Sequence, residues 1–277
     1  MKTKKLIILL LIIPVFSACN RNKKYDRTQF FPKIELKAEN IPNKKNLWIF
    51  ILAGQSNMAG RGLVESQDTI PNERVFSINK NGEIIIAKEP LHFYEPSMTG
   101  LDCGLSFGIA LLNDVPDSIS ILLIPTAVGG SSISQWINDS THRNVSLYSN
   151  FREKIKTGQK YGTIKGILWH QGESDATSAG TIETYENQLK KLIELFRNEV
   201  DNLSLPVLIG ELGSFSDNND GWQAINEKIR EYAKSDSIAY IIHTDDLKDK
   251  GDKVHFNSEG QREIGRRFAE EFIKTQK

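Results

Sequence analysis

Cysteine is almost missing from this 277-residue chain: there are two, Cys19 and Cys103. Cys103 has no His or Cys patterned near it and reads as a structural thiol. Excess charge is missing as well, because 35 Lys and Arg balance 35 Asp and Glu. That argues against nucleic acid as the main partner, since such binding is driven by clustered positive charge. Of the five histidines, His92, His142, His170 and His243 stand in no constellation of their own. Glu173 and Asp175 are short of a His or Cys partner at ligand spacing, so no metal is expected. Gly129-Gly130 lacks a following Gly-Lys-Ser/Thr, which excludes a nucleotide P-loop. Repeats, low-complexity tracts and a second domain are also lacking. The one conspicuous apolar run at the N-terminus, Leu6 to Val15, is too short for a membrane span of roughly 20 residues.

That run instead has the layout of an export signal. Lys2, Lys4 and Lys5 precede it, and Phe16-Ser17-Ala18-Cys19 follows it. Small residues before a cysteine resemble a bacterial lipobox, in which cleavage leaves a lipid-bearing cysteine. The expectation is a signal peptide at 1–18, lipidated Cys19 with a polar tether over 19–46, and one domain over 47–277. The partner implied is a membrane reached through that lipid, with the protein an exported lipoprotein in the periplasm or at the cell surface. If Cys19 carries lipid, Cys103 has no disulfide partner.

Within the domain, the apolar run Ile49–Ala53 predicts a buried strand that stops at a glycine-bounded turn, Gly54 to Gly60. Four further runs, Ile119–Pro125, Ile164–Trp169, Leu205–Glu211 and Ile238–His243, are continuously apolar, the pattern of parallel strands covered on both faces. Helical periodicity lies between them: Gly104–Leu112 with Leu105, Ile109 and Leu112 on one face, then Ile182–Val200, Asp220–Lys234 and Ser258–Lys274. Ser258-Glu259-Gly260-Gln261 matches a capping box. Alternation of this kind predicts an α/β fold: a three-layer α/β/α domain around a five-stranded parallel sheet. Arg61–Gly100 reads as an excursion off that sheet, with a hairpin at Asn81-Gly82 between Val75–Ile78 and Glu83–Ile86. A short strand is expected at Lys33–Lys37.

Ligands bind at the carboxyl ends of such strands, and polar, glycine-rich clusters collect there. Ser56 follows the first strand, Thr126–Ile133 the second, His170–Asp175 the third, and Asp252 and His255 the fifth. A serine nucleophile needs a base within reach and a group that orients the base. His255 and Asp252, three residues apart in one loop, supply both. An acyl-transfer site also needs donors for the developing oxyanion: the backbone N–H of Ser56, one from Gly129 or Gly130, and the side-chain amide of Gln171. Gln55 and Asn57 flank the serine as supporting residues, and Glu173 is expected to brace its own loop and Gln171.

Gly54-Gln55-Ser56-Asn57-Met58-Ala59-Gly60 resembles the first block of the SGNH hydrolases, in the sialate O-acetylesterase-like and plant acetylxylan-esterase-like branch of carbohydrate esterases. Trp169-His170-Gln171-Gly172-Glu173-Ser174-Asp175 is similar to that branch's third block. Gly129-Gly130-Ser131 through Trp136 is similar to its glycine block, and Asp252-Lys253-Val254-His255 to its closing Asp-x-x-His. The resemblance runs from Leu47 to the C-terminus. It implies a flavodoxin-like α/β/α fold and hydrolysis of acetyl esters on sugars without a cofactor. Ser56 would be the nucleophile, His255 the base and then acid, and Asp252 its orienter. Asp102-Cys103-Gly104 departs from a frequent Gly-Pro-Gly of the branch. Activity should rise through pH ~6.5, the ordinary histidine value, unless Asp252 raises it. Two other readings stand beside this one. One is a glycan-binding lipoprotein with weak or no catalysis. The other is an esterase or thioesterase for other acyl substrates, against which Ser131, Ser132, Trp136 and His170 suit sugar faces and hydroxyls.

Overall fold

The computed structural model describes residues 26–276; Cys19 and the export signal lie outside that range. β1 (Leu47–Gly54) is followed by a hairpin of β2 (Val75–Ile78) and β3 (Ile84–Ile86). Next come α1 (Gly104–Leu111), β4 (Ser120–Pro125), a short α2 (Ile133–Ile137), a ribbon of β5 (Thr141–His142) and β6 (Val145–Ser146), and α3 (Leu147–Tyr161). The rest alternates: β7 (Thr163–His170), α4 (Ala179–Val200), β8 (Val207–Gly210), α5 (Asn219–Ser235), β9 (Ala239–Ile242) and α6 (Ser258–Lys274).

Among the described residues the main sheet has seven strands, not five, in the order β3-β2-β4-β1-β7-β8-β9. All neighbours are parallel except β3, which runs antiparallel to β2. The two extra strands are the hairpin expected off the sheet. Val75, Phe76 and Ile78 are buried, and Val75–Ser77 pair in register with Ile121–Leu123 of β4. An unpaired β4 would otherwise present a row of open backbone groups. The turn is held by Asn79, whose Oδ1 accepts from the N–H groups of Asn81 and Glu83. In the lead-in, the strand expected at Lys33–Lys37 reduces to one bridge, Lys37 opposite Ile85.

The alternation of β1 divides the core into two layers. Ile49, Ile51 and Ala53 face a cluster built with α2, α3, α4 and α5. Phe50 and Leu52 face α1 and α6. On that second side Phe50 packs edge-on to Phe107 at 4.7 Å and to Phe272 at 4.8 Å. α1 lies on the sheet by a different face from the one its leucines suggest. Gly104 and Gly108 face Leu52 and Val75, where a Cβ would meet side-chain carbons at 2.5 Å and 2.9 Å, while Ile109 points outward. The two glycines let α1 approach the sheet closely, and Phe107 and Leu111, four residues apart, fill the buried layer beside them.

α6 begins where expected, but its cap is Asn257, whose side chain accepts from Gly260 N–H at 2.7 Å. Ser258 instead exchanges hydrogen bonds with the backbone of Leu63, and Gln261 donates to the carbonyl of Asn57. The start of α6 is thereby tied to the loop after β1. β1 lies between β4 and β7, so the carboxyl ends of these three strands form the crevice in which open α/β sheets bind ligands.

Candidate active site

The turn after β1 is shaped by contact with β7. Gly54 has φ +139°, and a Cβ there would lie 2.1 Å from the carbonyl oxygen of His170. Gln55 N–H donates to that carbonyl and Ala59 N–H to the carbonyl of Gln55, so residues 55–59 wind into one tight turn. Ser56 stands at its start, largely buried.

The loop before α6 brings the base to it. His255 Nε2 is 3.0 Å from Ser56 Oγ, and His255 Nδ1 is 2.8 Å from Asp252 Oδ2. Asp252 Oδ1 accepts from the N–H groups of Val254 and His255. One turn therefore fixes both the carboxylate and the backbone carrying the imidazole. Asp249 closes this loop by accepting from Gly251 and Lys253 N–H. Burial pushes the Asp252 carboxyl up, but the hydrogen bonds from the His255 ring, from the His255 and Val254 backbone, and the imidazole charge outweigh it and bring it down to about 2. Burial lowers His255 below its ordinary value; Asp252 opposes this, and the charges of Lys250 and Arg61 assist it. The arrangement can take a proton from the serine hydroxyl.

The donors around Ser56 differ from those expected. Gln171 is completely buried, at 0 % exposure. Its amide nitrogen faces Gln55 Oε1, Ser131 O and Asp175 Oδ2 at 3.1, 3.1 and 2.5 Å. It braces three loops and offers nothing to a bound carbonyl. Gly129 is also committed: its N–H donates to Glu95 Oε2 at 2.6 Å. The N–H groups of Ser56 and of exposed Gly130 meet no acceptor among the described residues. These two stay open to an oxyanion.

Glu173 braces something other than Gln171. Its Oε1 accepts from Asn57 Nδ2 at 2.7 Å, and Asp175 is the carboxylate that meets Gln171. Burial raises Glu173 to about 7, against hydrogen bonds from its own backbone and from Asn57. Trp136, Ser131 and His170 are fully buried; Trp136 Nε1 donates to Ser131 Oγ. Their expected role at a sugar face therefore falls away. Cys103 is a packed core thiol, 3.7 Å from Met58 Sδ, and burial pushes its ionisation up.

Residues that sequence reasoning missed line the glycine loop. Arg61 Nη2 pairs with Glu95 Oε2 at 2.8 Å, both side chains buried. Arg143 Nη1 meets Glu95 Oε1, and His142 Nε2 lies 3.0 Å from the carbonyl of Gly129. Arg143 and Asn144 take φ of 49° and 64° to turn the β5–β6 ribbon, unusual for non-glycine residues. Arg61 follows the serine turn directly and could have been suspected; Glu95, within the excursion, carries no local signal.

Comparison with known proteins agrees with this architecture. A probable carbohydrate esterase of Arabidopsis thaliana is 30% identical over 268 residues, covering 88% of this chain and 95% of its own. The crystal structure of an Arabidopsis thaliana protein is similar with a TM-score of 0.73 at 28% identity, over 83% of this chain and 98% of that one. NanS has the same fold, with a TM-score of 0.68 at 16% identity over 85% of this chain and 99% of that one. A carbohydrate acetylesterase from Xanthomonas citri aligns with a TM-score of 0.61 at 18% identity, over 84% of this chain and 57% of that one. Residues 46–274 match the family described as carbohydrate esterase, sialic acid-specific acetylesterase, and the chain belongs to that family.

Proposed function

We propose that this carbohydrate esterase removes O-acetyl groups from a glycan through an acyl-enzyme on Ser56. The observation that carries the proposal is the continuous hydrogen-bond line from Ser56 Oγ through His255 to Asp252. Ser56 Oγ attacks the acetyl carbonyl carbon as its proton passes to His255 Nε2. The carbonyl oxygen becomes an oxyanion and takes hydrogen bonds from Ser56 N–H and Gly130 N–H. The carbon–oxygen bond to the sugar then breaks, and the imidazolium returns its proton to the leaving sugar oxygen. Water, deprotonated by neutral His255, attacks the acetyl-serine; acetate leaves and Ser56 recovers its proton. Asp252 keeps the imidazole oriented and stabilises its charged form throughout.

Acetylated xylan, acetylated sialic acid and related glycans are the substrates to compare. Purified protein should release acetate from one of them and hydrolyse an aryl acetate, and Ser56→Ala should abolish both. Activity surviving in Ser56→Ala would refute the mechanism. The same proposal puts the enzyme outside the cytoplasmic membrane on a lipid at Cys19, a reading supported by the basic, apolar and small-residue order of residues 2–19.

A further inference from the structure

Asn57 follows the nucleophile directly, yet its side chain serves the base. The side chain is buried between the turn after β1, the loop after β7 and the loop before α6. Its Nδ2 donates to Glu173 Oε1 at 2.7 Å and to the carbonyl of Val254 at 3.1 Å. Its Oδ1 accepts from Phe256 N–H at 3.1 Å. Val254 and Phe256 flank His255, so one amide side chain grips the backbone on both sides of the imidazole. The main-chain carbonyl of Asn57 is occupied too, by Gln261 Nε2 at 3.0 Å. Glu173 itself is buried, and its second oxygen, Oε2, has no partner among the described residues.

We infer that Asn57, held by Glu173, is a positioning residue for His255, fixing the imidazole between Ser56 and Asp252. The inference rests on the Ser56–His255–Asp252 mechanism proposed above. The loop from Asp249 to Phe256 closes on itself through its own turns, which set its shape. The bonds from Asn57 to Val254 and Phe256 set its distance from the serine turn. Loss of that tether lets the imidazole drift, and a misplacement of about 1 Å costs on the order of 10²-fold in rate. The role of Glu173 is narrower. It offers one acceptor oxygen that turns the Asn57 amide so that its nitrogen faces Val254 and its oxygen faces Phe256.

The test compares Asn57→Asp, Glu173→Ala and Glu173→Gln in the full chain, with an aryl acetate as substrate. Asn57→Asp keeps the size and the acceptor for Phe256 but places oxygen against the Val254 carbonyl and Glu173. It should lower kcat about 10²-fold with KM little changed. The low-field proton resonance of the His255–Asp252 hydrogen bond should broaden or vanish. Glu173→Ala should act in the same direction, and Glu173→Gln, which keeps the acceptor, should restore kcat to near the parent value. Full kcat and an intact resonance in Asn57→Asp would overturn the inference. So would a Glu173→Ala loss that appears only in KM or in melting temperature. Ser56→Ala in the same series separates the two levels. If it is inactive while Asn57→Asp is fully active, only the positioning role fails; if it stays active, the serine mechanism fails first.

Discussion

At the scale of single residues, the turn that carries Asp252 and His255 sets the pH dependence of the site. Asp252 and His255 share one turn, so their contact follows from spacing alone, and Ser56 is fixed by the strand that ends before it. The structure sharpens the pH expectation. With His255 held below its ordinary value mainly by burial, the neutral base persists to lower pH. The acid limb of kcat/KM should therefore fall below about 6.5, and Asp252, at about 2, stays ionised throughout. A pH–rate profile with its midpoint above that value would contradict this. Gly129 and Gly130 looked equivalent in sequence; Glu95 separates them by taking the Gly129 N–H. A Cβ at Gly129 would sit 2.1 Å from Arg61 Nη2 and 2.8 Å from Glu95 Oε2. Gly129→Ala should displace that pair and the adjoining Gly130 N–H. A fall in kcat toward the 10²–10³-fold loss typical of a missing oxyanion donor is expected, measurable on an aryl acetate.

At the scale of elements, the strands were legible because a short, continuously apolar run bounded by turn residues can hide its side chains only when both faces are covered. Phe50 shows the energetic weight of that pattern: it is fully buried and meets Phe107 and Phe272 edge-on. Phe50→Ala should destabilise the fold by about 3–5 kcal/mol, read by denaturant unfolding. α2 and the β5–β6 ribbon carry no readable signal, since a five-residue helix and two-residue strands leave too little periodicity; α3 is different, for Leu147, Phe151 and Ile155 recur at helical spacing and are buried. The excursion hid more. It supplies β2 and β3 to the sheet and Glu95 to the glycine loop. Glu95 sits between buried Arg61 and half-exposed Arg143. Burial pushes the Glu95 carboxyl up, but the charge and hydrogen bond of Arg61, the Gly129 N–H and the Arg143 charge together outweigh it and lower it. Glu95→Ala leaves the Arg61 guanidinium buried without its partner. A stability loss of about 3–5 kcal/mol should follow, checked by the same unfolding measurement.

At the scale of the whole molecule, one three-layer domain presents its chemistry on the crevice formed where β4, β1 and β7 end. The N-terminal reading predicts how that domain is carried. In a host that processes lipoproteins, Cys19→Ser should shift esterase activity from the membrane fraction to the soluble fraction. Unchanged partitioning would refute lipid attachment at that residue. The sequence by itself determined the β/α alternation, the serine turn and the Asp-x-x-His turn, because each is written in neighbouring residues: an apolar run, a glycine, a carboxylate three positions from an imidazole. Tertiary structure alone decided which donors remain open to a substrate and what holds the base in place. Gly129 is committed to a residue 34 positions away and Asn57 to one 199 positions away. Gln171, Trp136 and His170 are drawn into the interior. A hydrogen-bond donor has the same letter whether it is free or taken; only the packed fold supplies the acceptor that takes it.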